Sequence, residues 1–285
     1  MQISAIQTDV VLGDRAANLS CMERHIATEA ANGRQLIIFP ECFTCGYCFD
    51  SLDEAMSMGE PLDGESVTRA TELCGKHQCM TVFGMLERDG ENLFNVAVVV
   101  GPSGLIGSYR KVHLPYLGVD RFTTPGDRPF EVIEAGGVRI GLLICYDQSF
   151  PEATRSLALQ GADIITLPTN WPPGSEYMSM YSTICRAMEN GVYFAAVNRV
   201  GTEREFEFIG KSRICGPTGA QLAAADHTDE AVLHATIDVS RARTKRVVRV
   251  PGKHVIDRMA DRRPEMYSKL CEPHNLPRPG RDEPA

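Results

Sequence analysis

The sequence predicts an α/β fold in which two β-sheets pack as a sandwich with helices outside. Three observations carry this. Short β-rich apolar runs alternate with longer segments of helical spacing. Clusters of Gly, Pro, Asn and Asp mark tight turns between adjacent strands. Such strand–turn–strand regions occur in both halves of the chain, each near helical segments.

In chain order, residues 3–8 read as a strand, 18–32 as a helix, 35–40 as a strand and 65–77 as a helix. Strands over 80–86, 93–100 and 105–110 follow. Asp89-Gly90-Glu91-Asn92 and Pro102-Ser103-Gly104 lie between them, which predicts an antiparallel meander over 80–110. Then come a strand at 138–145, a helix at 151–160 opened by Pro151, a strand at 164–167, a helix at 178–190 and a strand at 193–198. A second antiparallel region is expected over 210–238, turning at Gly216-Pro217-Thr218-Gly219. No Pro/Gly/Ser-rich linker divides the chain and no fixed-period repeat is present. One compact domain is expected over 1–258. Residues 259–285, rich in charge and proline, are expected to form a tail on the surface or against a partner subunit.

Twenty-nine Lys and Arg against 37 Asp and Glu give a net charge of −8. That balance argues against non-specific binding to nucleic acid or anionic membranes, which needs a basic field. The basic stretch 241–249 therefore reads as a solvated face or a subunit contact. No apolar run approaches the ~18–20 residues of a membrane-spanning helix, and Met1-Gln2-Ile3-Ser4 lacks a basic leader region. A cytoplasmic protein is expected, with its ten cysteines as thiols, most of them small core residues.

Three polar residues follow apolar strands directly: Glu41 after 36–40, Lys111 after 105–110, and Cys145 after 138–144. Ligands bind at the carboxyl ends of strands in α/β sheets. If these strands share an edge, the three side chains converge. A cysteine sulfur is a strong nucleophile and a nearby ammonium favours its thiolate. A carboxylate can take the thiol proton and pass it to a leaving amine. An ammonium can hold the oxyanion of a tetrahedral centre. Together they describe acyl transfer to sulfur. Taken singly, each has an ordinary reading: a buried core thiol, a loop acid, and a solvated pair with Arg110.

The ordered motifs decide between these. Phe39-Pro40-Glu41, Tyr109-Arg110-Lys111-Val112-His113-Leu114 and Ile144-Cys145-Tyr146-Asp147-Gln148-Ser149-Phe150-Pro151-Glu152 resemble the nitrilase superfamily of carbon–nitrogen hydrolases. Gly46-Tyr47, Thr124-Pro125-Gly126-Asp127, Asn170-Trp171, Arg186-Ala187-Met188-Glu189-Asn190, Asn198-Arg199-Val200-Gly201 and Gly210-Lys211-Ser212 extend the likeness over about residues 2–270. The resemblance implies a four-layer α-β-β-α sandwich, a homodimer or larger homo-oligomer, and no metal or organic cofactor. It implies Glu41 as base, Lys111 and the Tyr146 backbone N–H as oxyanion donors, and Cys145 as nucleophile. Many members carry a second glutamate six residues before the proline of the Pro-Gly-Asp motif. That position here is Val119, and Asp120 is the carboxylate beside it, one methylene shorter.

Tyr146-Asp147 after the nucleophile, where true nitrilases carry Trp-Glu, favours amidases and N-carbamoyl-amine hydrolases. Gln148 and Ser149 offer no arginine for an α-carboxylate. The implied substrate is a small amide, with N-carbamoyl amines and then nitriles as alternatives. Tyr47, Tyr116, Tyr146, Asn170 and Trp171 are candidate pocket residues, and Arg186 and Glu189 a structural ion pair. Two readings lie outside this chemistry. Cys42, Cys45 and Cys48, with Cys74 and Cys79, have the look of a metal site, but position 52, where a fourth ferredoxin ligand would fall, is Leu52. A non-catalytic interaction protein on the same scaffold would have little reason to hold Glu41, Lys111 and Cys145 together.

Overall fold

The computed structural model describes residues 1–282. The first half of the chain contains β1 (Gln2–Gln7), α1 (Arg15–Ala31), β2 (Leu36–Ile38), α2 (Leu52–Met58), α3 (Glu65–His77), β3 (Met80–Asp89), β4 (Asn92–Gly101), β5 (Gly104–Arg110) and β6 (Val132–Ala135). Then follow β7 (Val138–Leu142), α4 (Pro151–Leu159), β8 (Ile164–Thr169), α5 (Thr183–Asn190), β9 (Tyr193–Asn198), β10 (Thr202–Glu203) and β11 (Phe206–Glu207). The rest is β12 (Arg213–Cys215), β13 (Gln221–Ala224), β14 (Ala231–Thr236), α6 (Val239–Arg243), β15 (Arg246–Val250) and β16 (His254–Asp257).

Local chemistry sets the helix ends. The Asp14 carboxylate accepts from Ala17 N at 2.9 Å and caps α1. Pro151 occupies the first turn of α4, where its missing N–H has no partner to lose. Gly191, at φ 58°, closes α5. The sequence reading missed α2. It is seven residues long, buries only Ala55, and is announced by little more than its Ser51 cap on Glu54 N.

Two six-stranded sheets form the interior, in the orders β14-β1-β2-β3-β4-β5 and β13-β12-β9-β8-β7-β6. In each, three central strands run parallel and the flanking pairs are antiparallel. Period-two alternation splits the first sheet's residues between two faces. Ile3, Ala5, Val82, Ala97 and Val99 join Ile140, Leu142, Ala195 and Ile214 of the second sheet in one core. Ile6, Ile37, Phe83, Val96 and Val98 pack on Leu19, Met22, Ile26 and Leu73 of α1 and α3. Leu157 of α4 and Ala187 of α5 cover the other side of the second sheet. The result is the expected α-β-β-α sandwich.

Two expectations need correction. The strand over 138–145 stops at Leu142, because the Asp147 carboxylate accepts from Ile144 N and draws the chain into the single 3₁₀ turn Cys145–Ser149. The region 210–238 is not one meander. β12 and β13 form a hairpin in the second sheet, but β14 crosses to the first and pairs with β1, Ala5 opposite Leu233. Alternating Leu233 and Ala235 then close that edge of the core. The segment from 259 is mostly exposed, with single turns at Pro264–Met266 and Ser268–Cys271. It returns to the body at Arg281, which donates to the Asp120 carbonyl oxygen at 2.5 Å. The last three positions of the expected tail, 283–285, lie outside the described residues.

The chain leaving β2 crosses β3 at Gly84. A Cβ there would lie 2.3 Å from Cys42 N and 2.6 Å from Glu41 Cα, both backbone atoms that cannot yield cheaply. Gly84→Ala is expected to destabilise the protein by about 2 kcal/mol, a fall of roughly 3–4 °C in Tm. Thermal denaturation beside an activity assay checks this, and activity should fall with stability because the clash displaces Glu41.

Candidate active site

The carboxyl ends of β2 and β5 deliver Glu41 and Lys111 to one edge of the first sheet. Lys111 Nζ lies 2.7 Å from Glu41 Oε1 and 2.5 Å from Asp120 Oδ2, and all three side chains are sealed from solvent. Arg110, one residue earlier, faces the other way into Glu87, Asp89 and Asp127, so the pair is not a solvated basic patch. A buried cation needs partners, and each of these two basic residues has its own.

Asp120 reaches Lys111 through its local backbone. The turn Gly118–Arg121 begins at φ 49°, with the Tyr47 ring where a Cβ would go (2.2 Å), so only glycine fits. Val119 points into the apolar cluster of Tyr47, Phe49, Leu86 and Leu93, which turns Asp120 toward the ammonium. The carboxylate thus comes one residue later than in the family pattern. Tyr47 Oη lies 2.8 Å from Asp120 Oδ2 and 3.1 Å from the Leu117 carbonyl oxygen. Tyr47 is fully buried, and its hydroxyl is engaged with the Asp120 turn.

Asn95, in the middle of β4, was not singled out from the sequence. Its Nδ2 donates to Glu41 Oε1 at 2.8 Å and to Asp120 Oδ1 at 2.9 Å, and its backbone oxygen accepts from Lys111 N at 2.8 Å. The signal was there: a lone amide inside the apolar run Leu93-Phe94-Asn95-Val96-Ala97-Val98, where a buried polar group needs partners. Asp147 was also given no role. Its Oδ2 accepts from Ile144 N (2.8 Å) and Tyr109 Oη (2.9 Å), and its Oδ1 accepts from His113 N (3.2 Å) and lies 2.7 Å from His113 Nδ1. One carboxylate therefore ties the turn bearing Cys145 to the strand and loop on either side of Lys111. His113 also stacks on Phe150 at 3.8 Å between ring centroids.

Cys145 stands at φ 45° in its turn, and Cys42, next to Glu41, at φ 48°. Such left-handed conformations at non-glycine residues concentrate at functional sites. Burial and the Glu41 charge push the Cys145 thiol up to about 12, while Lys111, the Thr169 hydroxyl and the Asn170 N–H pull it down. Burial raises Glu41 above the ordinary carboxylate range; Lys111 opposes this and Asp120 adds to it. Burial alone would lower Lys111, but Asp120 and Glu41 outweigh it and hold the ammonium well above its usual value. The resting arrangement is a thiol beside a basic carboxylate and a locked cation. Glu41 Oε2 has no hydrogen-bond partner among the described residues.

The other candidates divide. Asn170 and Trp171 follow β8 and are buried; Asn170 Nδ2 donates to Glu41 O at 3.2 Å, and Trp171 N to Asn198 Oδ1 at 2.8 Å. Tyr116 and Tyr146 are 47% and 40% exposed, at the surface rather than against the ion triad. Arg186 pairs with Glu189 at 2.9 Å and donates to Gln148 O, in the turn that carries Cys145. Cys42 and Cys45 are buried thiols that donate to Asn95 Oδ1 and to backbone oxygens of Cys42 and Gly46, and Cys48 is buried near them.

A model described as carbon-nitrogen hydrolase matches residues 2–247. The chain belongs to the carbon–nitrogen hydrolase family. A nitrilase of Pyrococcus abyssi is 37% identical over 270 residues, spanning 94% of this chain and 99% of that one. An N-carbamoylputrescine amidase of Solanum lycopersicum is 30% identical over 90% of each chain. Among solved structures, an amidase from Nesterenkonia sp. AN1 superimposes with a TM-score of 0.78 at 25% identity, over 95% of this chain and 99% of that one. This carbon–nitrogen hydrolase is thus an amidase-like enzyme of the nitrilase superfamily.

Removing the Asp147 carboxylate would leave Ile144 N, His113 N and Tyr109 Oη without their acceptor. Asp147→Ala is expected to destabilise the enzyme by about 3 kcal/mol and to lower kcat more than it raises KM. Urea denaturation and steady-state kinetics on the same preparation check both.

Proposed function

We propose that this carbon–nitrogen hydrolase opens the C–N bond of a small amide through a thioester on Cys145. The observation that carries the reading is the buried triad: a cation fixed by two carboxylates, one of which keeps an oxygen without a partner among the described residues. Glu41 takes the thiol proton as the sulfur attacks the carbonyl carbon. Lys111 and the Tyr146 backbone N–H hold the oxyanion. As the tetrahedral centre collapses, Glu41 returns the proton to the departing nitrogen, releasing ammonia or an amine. Glu41 then takes a proton from water, whose oxygen attacks the thioester carbon. The carboxylic acid leaves and the sulfur regains its proton. Asp120 keeps Lys111 protonated throughout. With two anions and one cation, the thiol remains protonated until Glu41 deprotonates it during attack.

Asn170 and Trp171 are proposed to line the buried end of the pocket and Tyr116 and Tyr146 its rim, while Tyr47 acts through Asp120. An N-carbamoyl amine is the second reading, favoured by the N-carbamoylputrescine amidase likeness and by Tyr146-Asp147 after the nucleophile. The product would then be a carbamate that loses carbon dioxide. We further propose one catalytic domain over 1–258, with the segment from 259 serving a subunit contact. A homodimer is supported by exposed Tyr177 and Tyr181, stacked at 5.7 Å, beside exposed Met180 and Met188. A cytoplasmic location is supported by ten free thiols. No helix among the described residues is long and apolar enough to cross a membrane.

An ammonia-release screen over aliphatic amides, ω-amides, N-carbamoyl amines and nitriles, with carbon dioxide measured in parallel, tests the substrate class. Cys145→Ala should lose at least ~10⁴-fold in kcat with its fold intact, and Glu41→Gln about 10³-fold; wild-type turnover by Cys145→Ala would refute the assignment. The base works ionised and its pKa is raised in the folded enzyme. kcat/KM should therefore fall on acidification at a pH above the free-glutamate value of ~4.3. Light scattering should give twice the 31.3 kDa chain mass, and a monomer would sink the dimer.

A further inference from the structure

Lys111 Nζ and Asn95 Nδ2 both reach the same oxygen of Glu41. Oε1 receives the ammonium at 2.7 Å and the amide at 2.8 Å, while Oε2 is buried and receives nothing among the described residues. A carboxylate held at one oxygen by two donors cannot exchange its oxygens by rotating about its terminal bond without breaking both bonds. The other N–H of the same Nδ2 goes to Asp120 Oδ1 at 2.9 Å, so one amide group spans the two carboxylates that flank Lys111. We propose that Asn95 is a positioning residue that makes the two oxygens of Glu41 inequivalent, occupying Oε1 so that Oε2 alone exchanges the proton with Cys145 and the departing nitrogen.

The orientation of the amide is itself determined. Cys42 Sγ lies 3.6 Å from Asn95 Oδ1, and its thiol, held protonated by burial, can only donate there. A reversed amide would aim its oxygen at both carboxylates and offer its N–H groups only the weak sulfur acceptor of Cys42. The two carboxylates, with Cys42 in support, therefore select the rotamer in which Nδ2 faces the triad. β4 supplies the rigidity: Asn95 lies opposite Leu86 of β3, and its carbonyl holds Lys111 N, so clamp and cation are fixed to the same strand.

This assignment rests on Glu41 being the base, and the test separates the two. Asn95→Ala, the isosteric Asn95→Asp, and Cys42→Ala are compared with the wild type and with Glu41→Gln by pH profiles of kcat/KM for one aliphatic amide, with Tm recorded for each. Asn95→Ala should lower kcat roughly 10- to 100-fold with KM changed less than about 3-fold. Its acid limb should move to higher pH, because Glu41 loses a donor to its charged form. Asn95→Asp should move that limb further the same way, since it sets a third carboxylate between two. Cys42→Ala should show the same shift in smaller measure and keeps the test open if the Asn95 variants do not fold. An acid limb that stays put in every folded variant, whatever the loss in kcat, would reduce Asn95 to packing and overturn the proposal. Should Glu41→Gln turn over at the wild-type rate, the base assignment falls and takes this one with it. An inactive Glu41→Gln beside Asn95 variants with unshifted profiles overturns the Asn95 role alone.

Discussion

One lysine ammonium enclosed by two carboxylates is the constraint on which the site depends. Burying a charge is costly unless it is paired and hydrogen-bonded, and here Lys111 has both Glu41 and Asp120 within 2.7 Å. The triad is not simply a stabilising pair. Burial above all, with Asp120 adding to it and Lys111 opposing, keeps Glu41 a stronger base than an exposed carboxylate, and burial with the Glu41 charge keeps the neighbouring sulfur a thiol. Geometry around the triad then follows from this electrostatic need: the left-handed Gly118, the inward Val119, the Tyr47 hydroxyl and the Asn95 amide all serve to hold Asp120 and Glu41 against the cation.

The two sheets divide the chemistry between them. Glu41, Lys111 and Asp120 come from the end of β2, the end of β5 and the loop beyond. Cys145 comes from the second sheet, in the turn after β7, with Asn170 arriving from the end of β8. Two links close the seam at this point: Asp147 reaches Tyr109 and His113, and Asn170 reaches the Glu41 carbonyl oxygen. Away from the site, the inner faces of both sheets share one apolar core, and Gln7 Oε1 accepts from Ser212 N at 2.9 Å between them.

Much of this was legible in the sequence. Strand–helix alternation predicts the sandwich because the two periodicities, 2 and 3.6, follow directly from backbone geometry. Glu41, Lys111 and Cys145 stand out as polar residues closing apolar runs. What escaped was what tertiary context decides. The crossover of β14 depends on which sheet edge is open. The early end of β7 depends on a carboxylate five residues past the strand. Asp120 was found beside the expected offset, but whether it reached Lys111 depended on a left-handed glycine and a buried valine. Asn95 looks like an interruption in an apolar strand until both flanking carboxylates are placed.

The crossing at Gly84 has a further consequence. Because the chain bearing Glu41 lies directly on the β3 backbone, with no side chain as cushion, Glu41 inherits the stiffness of a central strand. Its neighbours cannot drift apart by rotamer hopping, only by distorting main chain. The placement of Glu41 is thereby insulated from the soft modes that loosen surface loops, and tolerance to change in the outer helices need not trade against it.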